Sequence, residues 1–128
     1  MVGLGVASFG HVSGVHMQNV DTWEAYTQLI EQGVIPLGRA YRPTEEERMI
    51  RELVLQLKLG SVRPAYFAAK YAVNILERFR SQLEALRSTA DVAEASSDVV
   101  RLTRQGLLRV DTLLPRFFLP QHAGIRYT

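Results

Sequence analysis

The stretch TEEERMIRELVLQLKLG, residues 44–60, frames the reading of everything around it. Thr44 as N-cap and Glu47 three residues into the helix make a capping box, and Glu45, Glu46 and Glu47 put three carboxylates at the positive end of the helix dipole. Met49, Ile50, Leu53, Val54 and Leu57 then recur on one face, and Gly60 supplies the stop. A helix with one apolar stripe needs something to bury it against, so the next elements decide the fold.

Downstream, Arg63-Pro64 opens a short helix reaching about Tyr71, with proline tolerated in the first turn. Asn74 can cap a third helix over residues 74–87, along which Ile75, Leu76, Phe79, Leu83 and Leu86 line one side. Residues 92–95 and 99–102 read as two short strands joined by Ser96-Ser97-Asp98. Thr103 caps a last helix from Arg104 to about Leu114, which Pro115 closes. Three helices, a hairpin and a further helix are the ingredients of a winged helix. The expectation is an α+β chain, mostly helical, with a winged-helix-like domain over residues 44–128.

Upstream the character changes. Gly3, Gly5, Gly10 and Gly14 punctuate the first twenty residues, and the apolar run Val2, Leu4, Val6, Ala7, Phe9 reads as one buried strand ending in a glycine-rich loop. No second strand of that type follows nearby, so this segment is expected to be an orphan whose neighbours lie elsewhere. Asp21-Thr22 can cap a helix over residues 23–32, with Trp23, Tyr26, Leu29 and Ile30 at helical spacing and Gly33 as the stop. Residues 34–43, broken by Pro36, Gly38 and Pro43, read as extended linker. Residues 1–43 are therefore expected to be a remnant of a larger sheet plus a linker helix.

A length of 128 residues suits one to two small units, and 47% apolar with 22% charged residues is ordinary for a globular chain. No apolar run approaches the ~18–20 residues that span a bilayer, and no charged segment precedes an apolar one as in a secretory signal. The absence of cysteine removes disulfides, thiolate nucleophiles and cysteine-held zinc or iron–sulfur clusters, and fits a cytoplasmic address. Net charge is +2, and 13 of the 15 basic residues are arginine. That bias follows composition more readily than a ligand.

Several patterns invite a chemical reading and yield little. Gly3-x-Gly5-x-x-Ser8 has serine in the third position of a dinucleotide fingerprint and no full strand before it. His11 and His16, five apart in a glycine-rich stretch with no acid between them, match no standard metal spacing, and His122 is remote; they read as solvated loop histidines, and no metal site is assigned. In the helix of residues 74–87, Glu77 and Glu84 offset Arg78, Arg80 and Arg87. The hairpin tip carries Glu94 and Asp98 without a basic residue, so nucleic acid is not the expected partner. Tyr66, Phe67, Tyr71 and Phe79 read as core aromatics.

With these residues in place, the chain resembles the C-terminal third of oxygen-independent coproporphyrinogen III oxidase and its radical-SAM relatives. The resemblance rests on Gly3-Leu4-Gly5-Val6-Ala7-Ser8, the Gln18-Asn19 pair, and Tyr26, Ile30, Gly33 and Pro36. It continues through Arg39, the Thr44-Glu45-Glu46-Glu47-Arg48 helix start, Val100 to Thr103, Gly106 and Leu107-Leu108-Arg109, in the family's order. In that family a partial barrel binds a [4Fe–4S] cluster and S-adenosylmethionine, and a smaller C-terminal domain covers its mouth.

The resemblance implies that Gly5, Val6, Ala7, Ser8 and Phe9 lie on the S-adenosylmethionine or substrate side. Phe9 stands where the oxidase has an aliphatic residue. It also implies a structural role for Gln18 and Asn19 first, and a substrate-lining role second. The departures are as informative: the cluster motif and the other barrel strands are absent, residues 87–91 lack the family's glycine, and the aromatic-basic tail 116–128 has no assignment.

The function expected from the resemblance is that of a C-terminal cover domain of a coproporphyrinogen oxidase-like protein, catalytically silent alone. Its partners would be a missing N-terminal radical-SAM barrel and a porphyrinogen or haem. A stand-alone winged-helix module for nucleic acid or protein is the alternative. A third reading is an interaction domain whose N-terminal strand pairs with another copy.

Overall fold

A computed structural model describes residues 1–123. The chain is α+β, with two small antiparallel sheets among the described residues, and divides into two compact units: Met1–Thr44 and a second beginning at Glu45.

The first unit holds β1 (Phe9–Val12), β2 (Val15–Asn19), α1 (Trp23–Glu31) and β3 (Leu37–Tyr41), with sheet order β1-β2-β3. Ser13 and Gly14 join β1 to β2 with φ of 49° and 77°, the positive pair of a type I′ turn whose twist matches a two-residue hairpin. β3 pairs antiparallel with β2, with an irregularity between Gln18 and Asn19. α1 follows an extended Thr22 whose side chain makes no capping bond, so the Asp21-Thr22 cap is realised in position only.

This corrects the expected orphan strand. Residues 2–8 are not strand: Gly5 and Ala7 adopt φ of 107° and 56°, which breaks any extended run, and Val2 and Leu4 stand 71% and 88% exposed. The strands lie further along, where glycine and histidine had suggested loop. The expected linker of residues 34–43 likewise contains β3. Its five residues lack the alternation of a half-buried strand, since all five are exposed. Among the described residues, the expected association with another copy has no strand to use in residues 2–8; the first strand begins at Phe9.

The second unit runs α2 (Glu45–Leu57), β4 (Ser61–Val62), α3 (Pro64–Tyr71), α4 (Ile75–Arg78), α5 (Arg80–Ser88), β5 (Val92–Ala95), β6 (Val100–Leu102), α6 (Arg104–Leu108) and α7 (Val110–Leu113). Two 3-10 turns, Leu114–Phe117 and Pro120–His122, close the described chain. β6 is the central strand of the sheet β4-β6-β5. The two-residue β4 is too short to carry a sequence period, and it was not anticipated.

The caps at Asn74 and Thr103 form as expected: Leu76 N–H donates to Asn74 Oδ1 at 3.1 Å, and Gly106 N–H to Thr103 Oγ1 at 3.0 Å. Two expected long helices are each broken once. The first breaks at Phe79 (φ −115°, ψ 27°), which is buried edge-on against Phe117 with ring centroids 5.4 Å apart. The second breaks at Arg109 (φ −116°, ψ 19°), whose guanidinium reaches the buried carboxylate of Asp91 at 3.1 Å. In both cases a tertiary contact sits at the point where local propensity would have continued the helix.

The core of this unit gathers Met49, Ile50, Leu53, Val54 and Leu57 of α2 around Phe67, Ile75, Leu86 and Val100, all buried. It leaves a void of only about 10 Å³, at the lower limit for one water, so packing is close. Gly106 shows how close: a Cβ there would collide with the backbone carbonyl oxygen of Asp91. No helix among the described residues is long and apolar enough to cross a membrane.

Candidate functional site

The residues singled out by resemblance, Gly5, Val6, Ala7, Ser8 and Phe9 with Gln18 and Asn19, are brought together in the first unit. The loop before β1 folds into a tight turn that is stitched to β2 through both main chain and side chains. Ala7 N–H donates to Val20 O at 2.9 Å, and Asn19 N–H to Ser8 O at 3.0 Å. Asn19 Nδ2 donates to Gly5 O at 2.8 Å and to Gly3 O at 3.3 Å, while Gln18 Nε2 donates to Ala7 O at 3.2 Å. Ser8 Oγ donates back to Leu4 O at 2.7 Å.

Two amide side chains thus satisfy three carbonyls of a loop that has no ladder of its own, which is what backbone polar groups outside regular structure require. Gly3 allows the close approach, because a Cβ on it would run into the carbonyl oxygen of Phe9. The structural role expected first for Gln18 and Asn19 is the one their hydrogen bonds perform. Sequence reasoning missed a third clamp: Gly5 N–H donates to the Tyr26 hydroxyl at 3.1 Å, from a residue placed only by its helical spacing on α1. Tyr26 lies alongside Trp23, with centroids 6.5 Å apart.

A loop held this way can present a preformed surface but contains no acid, base or nucleophile in reach of a ligand other than the Ser8 hydroxyl, which is engaged with Leu4. Val6, Ala7 and Ser8 are half-buried and Phe9 is 51% exposed. The geometry suits binding by shape and apolar contact rather than chemistry by these side chains.

The sheet beside the loop adds a second surface. Register places Phe9, Gln18 and Arg39 in one cross-strand row and His11, His16 and Tyr41 in the next, all on one face. The histidines expected in a loop are therefore on strands, directly opposite each other, with rings stacked at 4.6 Å and 19°.

In the second unit, several charges are paired. Glu46 meets Arg78 at 2.5 Å and Glu47 meets His122 at 2.7 Å, so two of the three carboxylates that open α2 hold neighbouring elements. His122 is thus a hydrogen-bond partner of Glu47 rather than a solvated loop residue. Arg101 lies 3.6 Å from Glu94 across the hairpin. Asp91, fully buried, joins β5 to the helix after β6: its N–H donates to Leu86 O at 2.8 Å, and its carbonyl accepts from Thr103 N–H at 2.9 Å. Nothing in its neighbours along the chain marked it out.

On α2 and α3, Glu52 accepts from Tyr66 at 2.9 Å and from Lys70 at 2.5 Å, and Lys70 also sits over the rings of Tyr66 and Tyr71. Burial pushes the Glu52 carboxyl up, but hydrogen bonds from Lys70, Tyr66 and Tyr71 outweigh it and hold it below the usual value. The Tyr71 hydroxyl is pushed up by burial and by the Glu52 charge. Tyr66, 41% exposed, belongs to this surface cluster rather than to the core, whereas Phe67 and Phe79 are core.

No family model matches the sequence, and no curated protein matches it. Among solved structures, the chain is similar to coproporphyrinogen III oxidase (HemN) from Escherichia coli, described as a radical SAM enzyme, with a TM-score of 0.78 at 16% identity. The match covers 89% of this chain and 27% of that enzyme, so the chain spans about a quarter of its length. The shared property is the fold. An iron–sulfur cluster of the kind held by cysteine thiolates does not fit the residues here: the sequence has no cysteine, and no three His, Asp or Glu converge among the described residues.

Proposed function

We propose that this chain is the substrate-covering C-terminal part of a coproporphyrinogen III oxidase-like radical SAM protein, and that it is catalytically silent alone. The carrying observation is the fold likeness over 89% of the chain to 27% of such an enzyme. No severed strand edge supports it. What adds support is the amount of apolar surface the first unit leaves open, with Val2, Leu4, Trp23 and Ile35 all at least 68% exposed.

In this reading residues 1–43 meet a radical-SAM barrel, in cis or as another chain, and residues 44–128 form a winged-helix-like cover over a porphyrinogen or haem in the cytoplasm. Gly5, Val6, Ala7, Ser8 and Phe9 border S-adenosylmethionine or substrate, and Gln18 and Asn19 hold that border in shape. The cluster and the cleavage of S-adenosylmethionine belong to the barrel, which supplies the thiolates this chain lacks. The contribution of these residues is to exclude water and to position.

The test is anaerobic purification from the native cells through a tag on this chain. Recovery of iron, sulfide and conversion of S-adenosylmethionine to 5′-deoxyadenosine, with carbon dioxide released from coproporphyrinogen, is the expected result. Recovery of the chain without those activities overturns the reading.

A further inference from the structure

We propose that the outer edge of β3 is a strand-addition site for an extended polypeptide segment that carries two carboxylates three residues apart. This goes beyond the cover-domain reading and does not rest on it.

The edge follows from the hydrogen-bond phase of the sheet. The main chain of His11 bonds away from β2: its N–H donates to Met1 O at 2.7 Å, and its carbonyl accepts from Met1 N at 2.8 Å. His11↔His16 is therefore a non-hydrogen-bonded pair, and alternation makes His16↔Tyr41 and Gln18↔Arg39 the hydrogen-bonded pairs on the other side of β2. Ala40, between them, turns its N–H and C=O away from β2. Among the described residues no hydrogen bond reaches either group. The outer edge of β1 is thus occupied at His11 by Met1, whereas that of β3 is unoccupied at Ala40.

β3 also gains little from burial. Its five residues are all exposed, and over residues 34–42 only Pro36 is buried. An ordered strand with an unpaired row of donors and acceptors is what strand addition uses: main-chain bonds give affinity and side chains give choice.

Charge selects the partner. β1, β2 and β3 contain no aspartate or glutamate, while Arg39 lies on β3 and Arg42 follows it, biased toward extended backbone by Pro43. Neither guanidinium has an ion pair among the described residues. A second copy of this edge would add its own arginines and repel, whereas an acidic segment is attracted. Arg39 and Arg42 are an odd number of residues apart, so in an extended run they fall on opposite faces. A partner strand then needs one carboxylate opposite each, with the same spacing.

The experiment titrates the full ¹⁵N-labelled chain with a synthetic valine–threonine peptide holding two glutamates three residues apart, and with a twin holding lysines instead. The Ala40 amide signal is expected to shift and to gain exchange protection with the acidic peptide. That peptide should bind more tightly than its twin by at least roughly 2–30-fold, the worth of two cross-strand charge pairs. Arg39→Glu with Arg42→Glu should reverse the order of the two peptides. Ala40→Pro removes an N–H that the sheet does not use, so it should abolish binding and leave the dichroism spectrum unchanged. The order of the two peptides on the unaltered chain stands as a readout even if a variant fails to fold. No change at the Ala40 amide with millimolar peptide, equal affinity for both peptides, or self-association that Ala40→Pro removes overturns the proposal.

Discussion

The two units of this chain are held by different forces. Among the described residues, all seventeen side chains of the buried apolar core lie between residues 49 and 117, and the first unit buries only Pro36 and Pro43. That unit instead carries eleven of the sixteen exposed large apolar residues, Met1, Leu4 and Ile35 among them. Its order comes from a hairpin, a third strand and the amide clamps of Gln18, Asn19 and Tyr26. The contrast teaches that a segment can be well determined in backbone without a dry core, provided its polar groups are paired; what it lacks is the apolar burial that dominates stability.

The largest test of that contrast is Phe67→Ala. Phe67 is completely buried, and its truncation is expected to cost the second unit about 3–5 kcal/mol. Trp23 is the chain's single tryptophan and reports the first unit, while far-UV circular dichroism is dominated by the helices of the second. In urea the two signals should part, with only the dichroism transition moving in the variant. Coincident transitions shifted together would break the division.

Gly106→Ala comes next. The added methyl collides with the Asp91 carbonyl, at an expected cost of about 1–3 kcal/mol, again seen in dichroism alone.

Asn19→Ala should act in the other unit. It removes two side-chain hydrogen bonds from the loop, worth about 1–2 kcal/mol in total. Amide exchange at Ala7 and Asn19 should speed up by roughly 5–30-fold, with no change at the amides of α2. Protection unchanged at Ala7 would mean that the backbone bonds alone hold the loop.

The smallest effect is expected from Glu52→Gln. The Glu52 carboxyl titrates below its ordinary value in the folded chain, so its stabilising contribution is present above the unfolded-state pKa and is lost as pH falls through the lowered one. The difference in melting temperature between the natural chain and the variant should therefore shrink toward zero as the pH is lowered into the acid range. A difference that persists there would assign the effect to packing of the Tyr66 and Lys70 side chains instead.

Much of the second unit was legible in advance because its signals are local. Asn74, Thr103 and the stripe from Met49 to Leu57 act within a turn or two, and helices follow from such contacts. Phe79 and Arg109 were not legible as break points, because Phe117 and Asp91 lie far along the chain. In the first unit the likeness of the run from Val2 to Phe9 to a strand misled, since apolar composition says nothing of the positive φ at Gly5 and Ala7. The site residues Gly5 to Phe9, Gln18 and Asn19 were named from resemblance, and their mutual hydrogen bonds were visible only in three dimensions.

By itself the sequence determined the mixed class, the positions of most helices and strands after residue 44, the caps at Asn74 and Thr103, and the impossibility of a cysteine-held cluster on this chain. These depend on neighbours a few residues away and on which atoms are present at all. Only the tertiary structure decided that residues 9–19 are a hairpin, that a third strand lies in the supposed linker, and that two histidines five apart face each other. Strand register is set by turn geometry and cross-strand pairing, and such distances are not written in linear spacing.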